Sequence, residues 1–433
     1  MGVADSNHQV SKLKCQIPKL QKQSHIEMTN PSVNKNQRKI SLVSGSALHS
    51  FHDGIADGLA VFLPLWKASF GLSLTQVGLL VTCFEGATGF FQIPAGLLGE
   101  RFGERKLLVF GTLITAISFM YLGLAGGLTS FVVLLFVGGL GAAVQHPLAS
   151  SMVSKAYNDN GHRMALGTYN FSGDVGKFLF PSMAAVALPQ IGWRLTCVGF
   201  GLIGCVLAVA LFFILGHARV GERAFYEINH KASLKTKNWG IVNKGAFATL
   251  SLIGIVDTAV RIALVTFGPF LFIQKGIQAE SVGFALSLLF IGGAVGKFVC
   301  GALAERIGII ASVVITEGIT GCGIFLLTVL PLPYIYLFLP VLGVALNGTS
   351  SVLYGTVADF VDTHKVARAF GLFYTFVIAA AAVAPPIMGR VSDMLGVDDS
   401  IRMIGWIALS TLPMAVVLSR QMIKLSSEKQ IIH

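Results

Sequence analysis

"GLLGERFG" occupies Gly96–Gly103, and "GALAERIG" returns 205 residues later at Gly301–Gly308. A second correspondence stands at an offset of 204. It lays "HSFHDGIADGLAVFLPLW" (His49–Trp66) over the segment containing "VDTAVRIALVTFGPF" (Val256–Phe270), so that Asp53 falls on Asp257 and Asp57 on Arg261. Two anchors at nearly one offset point to a duplicated chain, and a duplicated membrane bundle suits sites placed at mid-bilayer between two halves.

The chain of 433 residues is 54% hydrophobic and 12% charged, about half the charged fraction of an ordinary soluble domain. Its mean hydropathy is +0.72. Apolar runs of about 20 residues recur, the length that carries a helix across a bilayer. The expected spans are 43–66, 76–98, 106–126, 130–153, 165–188, 193–216, 246–272, 281–303, 309–330, 333–358, 366–388 and 400–420. The expected fold class is therefore an all-α polytopic membrane protein of 12 transmembrane helices in two pseudo-symmetric six-helix bundles, 43–216 and 246–420. Residues 1–42 form a polar, basic cytoplasmic tail, 217–245 a cytoplasmic linker and 421–433 a second tail. Of the 32 Lys and Arg, five fall on the outer side (Lys67, Arg194, Lys275, Arg390, Arg402) and three within spans (Lys177, Arg261, Lys297). The rest crowd one side, which the positive-inside rule assigns to the cytoplasm, with both termini there, in a cytoplasmic (inner) membrane.

The net charge of +11 thus reflects topology rather than a nucleic-acid partner. Residues 1–42 show no apolar signal region; the "MGVADS" match to an acylation pattern is short enough for chance, and Met28 offers a second start. The six cysteines contain no C-x-x-C pair, and five of them lie in apolar spans as small core residues. No nucleophile-elbow, zinc-protease or phosphate-loop motif appears, so neither an enzyme nor a cofactor is expected.

The run Gly96-Leu-Leu-Gly-Glu-Arg-Phe-Gly-Glu-Arg-Lys106 resembles the signature loop between the second and third helices of the major facilitator superfamily, with Glu100 in place of the usual Asp. In this gating loop Gly96 is expected to permit close helix approach, Glu100 to set negative charge at a helix end, and Arg101, Arg105 and Lys106 to hold the interface around Gly103. "HSFHD", "GLGAAVQHP" and the Gly-rich "GTYNFSGDVGKFLFP" are similar to the fosmidomycin-resistance-like exporters, although Asp174 and Lys177 interrupt the glycine pattern. The resemblance implies a proton-coupled transporter whose first, fourth, seventh and tenth helices line a cavity.

Charges at bilayer depth cost about 2.5–3.5 kcal/mol and ordinarily face a cavity or a partner. His49, Asp53 and Asp57 recur at i, i+4, i+8 and share one helix face. Repulsion and low dielectric disfavour two carboxylate charges there, which makes Asp53 the chief candidate proton carrier, with Asp57, His49 and Glu85 beside it. His49 or His52 supplies a relay or compensating charge; the plainer alternative is a permanent ion-paired lock. Asp257 and Arg261 form either a self-neutralised i, i+4 pair or, with Arg261 as donor fork, an anion site. His146 before Pro147 is a cavity candidate or a packing group. Asp174 and Lys177 read as an i, i+3 structural pair, Glu317 as a partner for a snorkelling Lys297, and Asp359 as solvated.

The expected function is secondary active transport, most concretely proton-coupled export of a small organic molecule, an anion among the options, by alternating access. The expected partners are that substrate, protons and the lipid bilayer, with no nucleic acid and a monomeric state. Uptake or export of a metal cation or chelate is the competing cargo, and a non-transporting membrane receptor or scaffold is the competing class.

Overall fold

The computed structural model describes residues 34–157, 161–222, 241–361 and 366–431. Among them the chain is almost wholly helical, with a single isolated bridge between Ile241 and Val361. An apolar surround dictates this, since only helices and closed barrels satisfy every backbone N–H and C=O without water. The helices are α1 Lys35–Phe70, α2 Leu74–Phe102, α3 Glu104–Leu122, α4 Leu128–Ala142, α5 Gln145–Ala156, α6 His162–Ala218 and α7 Lys244–Gln274. After a short 3₁₀ turn follow α8 Val282–Ile307, α9 Ile309–Val329, α10 Leu332–Val357, α11 Val366–Leu395, α12 Val397–Leu409 and α13 Thr411–Ile431.

Three expected boundaries move, each for a local reason. α1 begins at Lys35 rather than at 43, because Asn34 and Gln37 cap it reciprocally; only residues 1–33 of the expected tail lie outside the described residues. The span expected at 130–153 divides into α4 and α5 just ahead of His146-Pro147, where the proline nitrogen has no hydrogen for the preceding turn. The expected division between 165–188 and 193–216 is kept, although both fall within α6, whose 57 residues would extend about 85 Å if straight. Gly192, at φ 69 and ψ 171, folds that length into two arms. The expected span 400–420 is divided at Ser410 into α12 and α13, and α13 continues through the expected tail to Ile431. Of the expected linker, 223–240 lies outside the described residues.

Ten stretches among the described residues are long and apolar enough to cross a membrane, rather than the twelve separate spans expected. One of the ten is the bent Met164–Ala218 stretch, and α1, though long enough, is made polar by His49, His52, Asp53 and Asp57.

The duplication is visible in the backbone. Gly103 sits at φ 84, ψ 156 and Gly308 at φ 88, ψ 160, so the two motif copies turn the chain the same way between successive helices. That region of backbone space is open almost solely to glycine.

The apolar core has three parts. One cluster joins both halves at the end of the molecule bearing the α1–α2 turn, with Phe62, Trp66 and Val77 from the first half and Phe267, Leu271 and Leu286 from the second. At the opposite end the halves have separate cores, Leu148, Met152 and Leu215 in one and Phe247, Leu353 and Phe373 in the other. Across the halves, α2 packs against α11 and α6 against α8. At the joined end Asp393 of α11 accepts the Leu74 and Thr75 backbone N–H groups at 2.8 and 2.9 Å, using free donors at the start of α2. The halves are pinned at one end and part towards the end carrying Gly103 and Gly308.

Candidate substrate and proton site

The site begins with glycine. A Cβ on Gly176 would stand 2.0 Å from the Ser50 carbonyl oxygen, and one on Gly173 would stand 2.7 Å from His49 Nε2. Their absence lets α6 lie directly against α1, which brings Lys177 within reach of both α1 carboxylates. Its Nζ is 3.0 Å from Asp57 Oδ2 and 3.5 Å from Asp53 Oδ2. The expected Asp174–Lys177 pair is therefore not formed. Asp174 instead takes Lys297 of α8 at 2.6 and 2.8 Å, an ion pair that bridges the two halves. The i, i+3 spacing misled because Lys177 finds two carboxylates across the helix contact, and Lys297 reaches inward to Asp174 rather than snorkelling.

Asp53 is the hub. His49 Nε2 lies 3.3 Å from its Oδ2 and His146 Nε2 3.6 Å from its Oδ1. His49 Nδ1 lies 2.8 Å from the Tyr169 carbonyl oxygen, and its ring stacks on Tyr169 at 4.3 Å. A carbonyl oxygen only accepts, so Nδ1 carries a hydrogen. Nε2 then faces a carboxylate oxygen, and two acceptors meet at that distance only with a proton between them. The His49–Asp53 couple is therefore a place where one proton can be shared. The break between α4 and α5 presents His146 to open space, its side chain 46% exposed, and places Gln145 under the Tyr169 hydroxyl at 3.0 Å. The repulsion expected between Asp53 and Asp57 is relieved by Lys177, and His52 takes no part: it is buried against Thr112 of α3 at 3.0 Å.

The second half of the chain arranges its charges differently. Asp257 is buried and turned towards Glu317 of α9, with which it shares a side-chain hydrogen bond. Glu317 therefore does not partner Lys297. Arg261 is half-buried, and among the described residues no carboxylate comes within ion-pair distance of it. Its guanidinium is within electrostatic reach of Asp57, Tyr354, Asp257 and Glu85 without bonding any of them. Glu85 of α2 is half-buried and likewise without an ion pair among the described residues.

The gating loop is fastened within its own half. Glu104, nearly fully buried, meets Lys155 at 2.8 Å, and Arg105 meets Glu222 at 3.2 Å and donates to the Phe212 carbonyl at 2.9 Å. Arg101 lies over the Phe102 ring, while Glu100 and Lys106 are exposed. The close approach expected at Gly96 occurs one turn on: a Cβ there would have 4.0 Å to Pro147, whereas one on Gly99 would stand 2.3 Å from Leu148. Asp359 is exposed, as expected.

Sequence reasoning missed the roles of Glu317, Tyr169 and Lys297. Two signals were available: a carboxylate at mid-span with no cation on its own helix, and a lysine beside the close-packing glycine Gly296.

A bundle with buried charges between two halves of one repeat is the frame of a membrane carrier, and the comparisons agree. The family model "Major Facilitator Superfamily" matches residues 43–385 and 250–422. The chain belongs to that superfamily of membrane transporters. It is similar to the probable sulfoacetate transporter of Cupriavidus necator, 25% identical over 58% of this chain and 60% of that protein, so the match spans under two thirds of that relative's length. The fosmidomycin resistance protein of Escherichia coli is 22% identical over 82% of this chain and 86% of its own. The gentisate transporter of Corynebacterium glutamicum is 26% identical over 78% and 79%. A bacterial homologue of the human lysosomal transporter Spinster, solved inward-facing and unoccupied, shares the fold at a TM-score of 0.75 and 17% identity, over 90% of this chain and 98% of that one.

Proposed function

We propose that this protein moves a small organic anion across the membrane, coupled to protons, by alternating access between its two halves. The observation that carries the reading is Arg261: a guanidinium on a mid-membrane helix, half-buried and without a counter-ion among the described residues. Charge at that depth is costly, and a ligand carboxylate or sulfonate supplies the missing partner through two parallel N–H···O bonds. The relatives named for sulfoacetate and gentisate handle molecules of that class.

The proton belongs to the His49–Asp53 couple, which Lys177 and His146 surround. Glu85 adds a second candidate, since it shares the neighbourhood of Arg261 and competes for it whenever charged. In this reading α1–α6 and α7–α13 are the two lobes, six spans each, with the Asp174–Lys297 bridge between them. Export is the direction favoured by the likeness to the fosmidomycin resistance protein. Resistance on overexpression supports export; starvation on deletion reverses it.

The test is flux into liposomes of sulfoacetate and gentisate under an imposed pH gradient. Native protein is expected to carry at least one of them. Arg261→Gln abolishes that flux, and Arg261→Lys, which keeps the charge but loses the fork, retains only a small part. Undiminished flux in Arg261→Gln would rule the assignment out.

A divalent cation is the competing cargo, because His49, Asp53 and His146 place one ligand atom each within 4.8 Å of one another. Lys177 argues against it: its ammonium stands 3.5 Å from Asp53 and already occupies the place a cation would take. Metal-dependent thermal stabilisation that disappears in His49→Ala would favour that reading.

A further inference from the structure

Asp257 and Arg261 stand four residues apart on α7 with the acid first, the spacing and order in which a helical ion pair forms most readily. The pair is nevertheless absent. Asp257 is 4% exposed and engaged with Glu317, which is 1% exposed on α9. The Thr411 hydroxyl of α13, which donates to the Ala408 carbonyl at 2.6 Å, also lies 3.4 Å from Glu317 Oε2, and Thr349 of α10 stands beside the same carboxyl. Glu317 is thus bordered by two further helices and lies outside the charged cluster that faces Arg261.

We infer that Glu317 is a positioning residue whose task is to hold Asp257 away from Arg261, so that the guanidinium stays open for the transported anion. Two carboxyl groups share a hydrogen bond only with a proton between them, so the bonded pair carries at most one negative charge. Remove the Glu317 carboxyl and Asp257 loses its partner in a buried setting, where an unpaired carboxylate is unstable. The nearest cation is Arg261, one helical turn away. Asp257 then swings onto it and competes with substrate. The charged and titratable groups facing Arg261 from the other helices are Asp57, Glu85, Tyr354 and Lys177, and none of them replaces Glu317 as a partner for Asp257.

This inference rests on Arg261 as the anion-holding group, but it has a readout independent of transport. Phenylglyoxal modifies accessible, unpaired guanidinium groups, and peptide mass spectrometry reads the extent at Arg261 alone. Native protein is expected to react. Glu317→Leu slows modification of Arg261 about tenfold, the worth of a new charge-assisted bond of roughly that strength. Adding Asp257→Asn to Glu317→Leu restores the reaction, and Glu317→Gln, which keeps a donor towards Asp257, restores it alone. In liposomes with gentisate or sulfoacetate, the same Glu317→Leu variant raises KM by a similar factor while the maximal rate changes far less. Equal modification rates in native and Glu317→Leu protein overturn the inference, as does failure of Asp257→Asn to rescue a slowed one. If Arg261→Gln leaves transport intact while the modification pattern holds, the anion reading falls and the positioning role stands.

Discussion

Helix α1 and helix α7 occupy equivalent places in the repeat, with Asp53 over Asp257 and Asp57 over Arg261, yet their charges are settled in opposite ways. On α1 both acids are surrounded by bases: His49 and His146 at Asp53, and Lys177 shared between Asp53 and Asp57. On α7 the acid is bonded to another acid and the base is left without an ion pair among the described residues. A duplicated backbone has therefore been given two chemistries. In the function proposed above, the first half stores protons and the second presents a cation to a ligand.

The largest effect is expected where a single cation serves two buried carboxylates. Lys177→Met strands Asp53 and Asp57, and breaking a buried pair by removing one partner costs about 3–5 kcal/mol. The thermal midpoint in detergent should fall sharply, and Asp57→Asn added to Lys177→Met should recover much of the loss. A midpoint unchanged in Lys177→Met would show that the first half is not held by this ion pair and would break the contrast between the halves.

A smaller and more selective effect separates the two aspartates themselves. Asp53→Asn removes the carboxylate that shares the His49 proton, so accumulation driven by a pH gradient is lost while exchange of substrate for substrate persists. Asp257→Asn leaves a side chain that still bonds Glu317, so the pH gradient continues to drive transport. The pH profile of flux is the measurement. Equal loss of coupling in both variants would mean that the two halves divide the work differently from the contrast drawn here.

The frame of this division was legible in the sequence. The twin motif placed the repeat, the run lengths placed most helices, and the i, i+4, i+8 spacing placed His49, Asp53 and Asp57 on one face. Partners across helices were not legible. Lys177 has Asp174 one turn away on its own helix, and nothing in the spacing says that Gly173 and Gly176 bring α1 close enough to win it. Asp257 likewise has Arg261 beside it, while its true partner, Glu317, lies 60 residues on in another helix. Local spacing ranks neighbours on one helix, whereas buried charges choose among every group that packing brings within a few ångströms. The break at Ser410 was hidden for a related reason: it is a single residue inside an otherwise continuous apolar run, whereas Gly192 falls in the gap expected between 188 and 193.

The smallest effect tests the part of the molecule in which the halves have stayed alike. Gly103 and Gly308 share a backbone conformation that side chains rarely adopt, so alanine at either costs about 1–2 kcal/mol of local strain. Around Gly308 a Cβ would meet open space, so its penalty is purely conformational. Gly103→Ala and Gly308→Ala are therefore expected to lower the thermal midpoint by similar amounts, measured side by side in detergent. Unequal losses would locate the excess in the neighbours of one loop, and the first candidate is the Glu104–Lys155 and Arg105–Glu222 fastening, because the second motif copy has Ile309 and Ile310 where the first has Glu104 and Arg105. A larger cost at Gly103 would then measure how far those charges, added to one copy alone, have made a shared turn into a fixed one.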